Sequence, residues 1–210
     1  MKKILLAAAL AASALTVAAP ASAAIVYEFT PGGSSASAGF TVINTFDTAA
    51  GITGSNFQIK VPPADSEGAP PANSIPSGTP YLSVLGDGWA TINFAAPVSA
   101  FQFDWGSIDS YNRLYIVSSI GNRIVTPGTN FPTAANGNQY LPGTNGLFTT
   151  RGTAGETFSS ITFISDANSF EVDNLAIPGI PEPTTWGMMI LGFGGIGAML
   201  RRRRQAVAFA

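Results

Sequence analysis

The stretch FQFDWGSIDSYN (101–112) gathers the side chains in this chain best suited to chemistry. Asp104 and Asp109 could flank a site as paired carboxylates, the arrangement that glycoside hydrolysis requires. Trp105 and Tyr111 could supply a sugar-stacking face beside them. A structural reading competes. Gly106 ends a strand at Trp105, and Ser107, Asp109, Ser110 and Asn112 crowd the next turn, where such side chains bond their own backbone. Trp105 would then belong to the core.

Composition narrows the other options. The chain of 210 residues holds no Cys and no His, which removes disulfides, thiolate nucleophiles, most zinc sites and every His-based triad. A hard cation such as calcium, held by oxygens, is the remaining metal option. A serine nucleophile would need a Lys base, and Lys60 is the only lysine outside the N-terminus, beside a Pro-rich loop. No nucleophile elbow, P-loop or dinucleotide fingerprint stands out. The expectation is a protein that is not an enzyme.

Charge is segregated. Lys2 and Lys3 stand at one end and Arg201 to Arg204 at the other, whereas residues 24–183 hold four basic and twelve acidic residues, a formal charge of −8. An acidic body argues against nucleic-acid binding.

The two ends read as addresses. Lys2 and Lys3, an apolar run to about Ala19, and Ala21-Ser22-Ala23 form a secretory signal peptide over 1–23, with cleavage expected after Ala23. At the other end, Pro181-Glu182-Pro183 precedes fifteen uncharged residues, Trp186 to Leu200, and then Arg201, Arg202, Arg203 and Arg204. A helix over 186–200 would span roughly 22 Å against a hydrocarbon core of ~30 Å. Trp186 suits the headgroup level and the arginines should stay cytoplasmic, so 186–200 is expected as a single, transient transmembrane helix. Glycines 187, 192, 194, 195 and 197 make it a weak permanent anchor.

This triplet, apolar run and Arg cluster in fixed order resemble a PEP-CTERM sorting signal of the PEPxxWA subtype, with Gly187 where that subtype usually has Ala. The resemblance covers 179–210 and implies processing at the triplet by an exosortase, a membrane-embedded protease of Gram-negative bacteria that make exopolysaccharide. The two prolines hold the triplet extended and out of the helix, which suits a protease cleft.

Between the signals, residues 24–178 read as one β-sandwich domain, jelly-roll-like. Short β-rich runs alternate with Gly, Pro and Asn turns: 25–29, 39–46, 56–61, 81–85, 89–94, 98–105, 112–119, 122–126, 158–165 and 169–177. Phe158, Ile161 and Phe163 mark one core face. Residues 62–80, with six prolines, read as a mobile excursion, and 127–146 as a second loop whose Phe131, Tyr140 and Leu141 could pack back on the sheet. SFEVDNLAI (169–177) resembles the closing strand of jelly-roll carbohydrate-binding domains. That resemblance implies a structural calcium at Asp173, with Glu28 from the first strand as its neighbour; the alternative is that Asp173 and Asn174 bond a nearby loop.

The expected protein is therefore exported, passes the inner membrane transiently, and comes to rest at the cell surface or in the extracellular matrix. Signal peptidase and exosortase are its processing partners and extracellular polysaccharide its expected associate. A carbohydrate-binding module is the alternative, and a carboxylate-dependent glycosidase the least favoured.

Overall fold

The computed structural model describes residues 26–34, 39–179 and 183–207. The signal peptide over 1–23, and Pro181 and Glu182, lie outside them. Ten strands form the body: β1 (Val26–Pro31), β2 (Phe40–Asn44), β3 (Ile52–Lys60), β4 (Tyr81–Val98), β5 (Ala100–Gly106), β6 (Asn112–Ser118), β7 (Arg123–Val125), β8 (Gly146–Arg151), β9 (Phe158–Ser165) and β10 (Phe170–Pro178). One helical turn, α1 (Pro127–Asn130), lies between β7 and β8, and helix α2 (Pro183–Val207) follows the body.

All the strand pairs are antiparallel, in the order β1-β8-β5-β10-β4-β9-β6-β7, with β2 on β10 and β3 on β4. The sheet curls into two facing layers because β3 and β4 run through both. The first part of β4 pairs with β10 (Leu82 with Val172) and the second with β9 (Ile92 with Ile161). Both strands kink at one level. Asn56 in β3 and Asp87 in β4 take left-handed φ of 53° and 57°. Gly88 admits no side chain, because a Cβ there would stand 2.4 Å from the Asn56 carbonyl. A bulge that bends a strand lets one sheet close on itself without leaving its ladder. The Gly-Asp-Gly sequence that reads as a turn is thus a bend inside one strand of 18 residues.

Period-two alternation then fills the space between the layers. Phe101, Phe103 and Trp105 of β5 point inward with Phe148 of β8, and meet Phe158, Ile161 and Phe163 of β9; all are fully buried. Phe103 and Phe163 stand edge to face at 5.2 Å across the gap, and Trp105 stacks on Phe170 at 4.5 Å and 7°. Such pairs add about 0.5–1.5 kcal/mol each beyond area burial. Phe131 packs back on Phe29 and Phe148 as expected, but Tyr140 and Leu141 are exposed.

Residues 62–80 depart from expectation. They form a strap laid across the outer face of β5, β10 and β4, with its own Ala69 and Ser74 buried against that face. Gly106 makes the close approach workable, because a Cβ there would sit 3.0 Å from the Pro71 Cα.

Candidate functional site

The outer face of the first layer is built by the same alternation that fills the core. Trp105 pairs with Val172 inward, so its neighbours Asp104 and Gly106 pair outward with Asp173 and Glu171. Glu171 pairs in turn with Ser83 of β4, and Lys60 of β3 with Tyr81. A band of polar side chains therefore crosses four strands. Under the strap it is buried: Asp104, Glu171 and Asp173 are each 2% exposed or less.

Three strap donors answer this band. The Ala69 amide donates to Glu171 Oε1 at 3.3 Å, and the Ser107 hydroxyl to Oε2 at 2.7 Å; Ser169 donates to Oε1 as well. Ser74 donates to Asp104 Oδ2 at 3.1 Å and Thr79 to Asp173 Oδ2 at 3.4 Å. A bulge in β10 puts Asn174 at φ 51°, which aims its amide at the Ile75 carbonyl (3.2 Å) and Asp104 Oδ2 (3.0 Å). Asn145 clamps the strap from β8's approach: its Oδ1 accepts from the amides of Ala72 and Ser107. Lys60 holds the strap's start through Asp65 at 2.6 Å and Glu67 at 3.4 Å.

A polar cleft of about 240 Å³ opens beside the strap. Asp65, Ser66 and Gly68 of the strap form one wall, Ser107, Asp109 and Tyr111 of the β5–β6 turn another. Asn136, Gln139 and Asn168 close it, and Glu171 lies at its floor. Tyr111 donates to the Asn168 carbonyl at 2.6 Å. Burial pushes the Glu171 carboxyl up to about 7 against the lowering effect of its three hydrogen bonds. Burial likewise raises Asp109, and raises Asp173 to about 7 with help from the Asp104 charge. Asp65 goes the other way, because its hydrogen bond from Lys60 favours the carboxylate. A larger groove of about 620 Å³ lies at the opposite end, near Ile43, Phe94 and Ile177; its lining holds no titratable side chain.

The residues singled out from sequence separate into three groups. Asp109 and Tyr111 meet in the cleft. Trp105 does not: it is fully buried and stacked, so it offers no sugar platform. Asp104 lies under the strap and does not face Asp109 across a cleft, because successive turns place them on different sides of Gly106. The expected calcium pair also comes apart. β8 and β5 stand between Glu28 on β1 and Asp173 on β10, so the two strands are not neighbours. Asp173 and Asn174 bond the strap and its surroundings instead, and the described residues contain no cluster of three or more acidic side chains arranged to hold a metal ion. Glu171 escaped notice, although it shares a strand face with Asp173 and is two residues away; that spacing was the available signal.

At the C-terminus, α2 starts at Pro183 and runs through Arg201 to Val207, longer than the expected 186–200. The apolar side chains of Met188, Ile190, Leu191 and Phe193 are exposed, as are Trp186 and Arg201. Among the described residues no helix is both long enough and apolar enough to cross a membrane. That corrects the transmembrane expectation: fifteen uncharged residues fall short of the ~20 a bilayer needs, and five glycines dilute their hydropathy.

No curated protein matches the sequence. Among solved structures, the catalytic domain of a GH87 α-1,3-glucanase in complex with nigerose is similar at 13% identity and a TM-score of 0.39, covering 69% of this chain. The chain spans only 29% of that glucanase's length. A carbohydrate-binding module of lichenase 5A from Cellvibrio mixtus, in complex with cellotriose, is similar at 13% identity over 67% of this chain and 98% of the module, with a TM-score of 0.36. A family 35 carbohydrate-binding module from Clostridium thermocellum is similar at 14% identity over 66% and 96%, with a TM-score of 0.35. The family comparison bears on the tail alone: residues 179–204 match the PEP-CTERM protein-sorting motif.

Proposed function

We propose that this is an exported, non-catalytic protein of the cell surface or extracellular matrix, released from its sorting tail and associated there with polysaccharide. The sorting motif at 179–204 carries the proposal. The triplet marks the processing point at the inner membrane, and the arginines form the stop beyond it. Signal peptidase acts at the other end, after Ala23.

The cleft is where the β-domain would hold a sugar chain. It offers one aromatic ring, Tyr111, and a wall of hydroxyls and amides that match sugar hydroxyls. Its chemistry favours binding over hydrolysis. Both oxygens of Glu171 are taken up by Ser107, Ser169 and the Ala69 amide, so neither is directed at a substrate. Asp104, paired with Asp109 in the hydrolytic reading of the sequence, is sealed beneath the strap. Co-sedimentation of the exported protein with its host's exopolysaccharide tests the reading. Wild type is expected to pellet with the polymer and Tyr111→Ala to bind at least severalfold more weakly; equal binding by the two would remove the cleft from the account.

A further inference from the structure

We infer that the strap over 62–80 is a lid on the cleft, held shut while Glu171 and Asp173 beneath it carry protons and released as they ionise. The inference rests on the reading of the cleft as the binding site. Its basis is geometric. The strap touches all three buried acids, through the Ala69 amide to Glu171, the Ser74 hydroxyl to Asp104 and the Thr79 hydroxyl to Asp173. The same segment supplies Asp65, Ser66 and Gly68 to the cleft wall, so any lift of the strap widens the cleft. It can lift without breaking a sheet ladder: its own pairing is a single bridge, Asp65 with Gly68.

The charge arrangement sets the direction. Asp104, Asp173 and Glu171 occupy neighbouring register positions on β5 and β10. The groups that face them are few. From β3 comes Lys60, already engaged by Asp65 and Glu67 of the strap. From β4 comes the Tyr81 phenol, pushed up by burial and by the charges of Glu171 and Asp65. The β5–β6 turn adds Asp109, whose charge opposes ionisation of Glu171, and Tyr111. No uncommitted cation faces the acids among these groups. With the strap closed, ionisation places negative charge in a dry space beside other acids; with it open, water solvates the same charge. Opening therefore becomes easier as pH rises from about 5 towards 8, because Glu171 and Asp173 stay protonated to about 7 only while covered.

Hydrogen exchange of the exported protein, read by mass spectrometry on strap peptides at pH 5 and pH 8, tests this. Rates are divided by the intrinsic exchange rate at each pH. The normalised opening of the strap, including the Ala69 amide, is expected to rise on the order of a thousandfold between the two pH values. Amides of β9 should stay protected at both. Glu171→Gln should cut the rise to roughly a hundredfold or less, and Glu171→Gln with Asp173→Asn should abolish it. Should the double variant not fold, the single one still decides. Equal normalised exchange at pH 5 and pH 8 in wild type, or an undiminished rise in Glu171→Gln, would overturn the lid. No sugar is present, so the result stands apart from the binding reading. A pH-responsive strap on a protein that pellets with no polysaccharide at any pH would sink that reading and leave the lid in place.

Discussion

The two layers of the sandwich treat their outer faces in opposite ways. The face of β4, β10 and β5 is roofed by the strap, and its acids are buried. The face of β4, β9, β6 and β7 lies open, with Trp89 at 42% and Ile124 at 61% exposure, a Thr91–Thr162 hydroxyl contact at 2.7 Å and a surface ion pair between Arg113 and Asp166. Both faces come from the same alternation of side chains. The difference lies in what covers them. A polar face left open costs nothing to solvate, whereas a covered one must supply a partner for each donor and acceptor. The strap does so with three donors of its own, the Ala69 amide to Glu171, the Ser74 hydroxyl to Asp104 and the Thr79 hydroxyl to Asp173.

The comparison can be broken at several depths. The largest effect is expected in the shared core beneath both faces: Trp105→Ala should cost about 3–5 kcal/mol by removing the ring stacked on Phe170, measured by chemical denaturation. Next comes pH. Glu171 has a pKa of about 7 in the folded protein against an ordinary 4.5, so its contribution is greatest below about 4.5 and is lost as pH rises to about 7. That is on the order of 3 kcal/mol, and denaturation midpoints should fall from pH 4.5 to pH 7.5 in wild type but much less in Glu171→Gln. Gly106→Val should cost about 1–3 kcal/mol by pressing against Pro71, and should raise strap exchange before it affects β9. On the open face, Ile124→Thr and Asp166→Ala should each change stability by less than about 0.5–1 kcal/mol. An equal response of the two faces would mean that the strap is no roof.

The core face of the strands was legible in the sequence and the cover over one outer face was not. Strict alternation in FQFDW and the core positions Phe158, Ile161 and Phe163 are local patterns, and the structure keeps them. The strand β8 was missed because GLFTTR is buried along nearly its whole length and shows no period. The strap was read as mobile because its prolines and small polar residues look like a linker. Its order comes from long-range partners, such as Ala69 with Glu171 and Ser74 with Asp104, that no local pattern records. For the same reason Asp104 and Trp105 looked like a site: sequence shows their chemistry but not that the strap and Phe170 cover them. The tail was read from three features in order, and its motif match spans those residues.

What happens to that tail decides whether the account of function holds. Intact mass of the protein recovered from the surface or matrix of an exosortase-bearing host measures it directly. The account predicts a chain that begins at Ala24 and ends at or near the Pro181–Pro183 triplet, without Arg201 to Arg204. A mature surface protein that keeps those four arginines would contradict it.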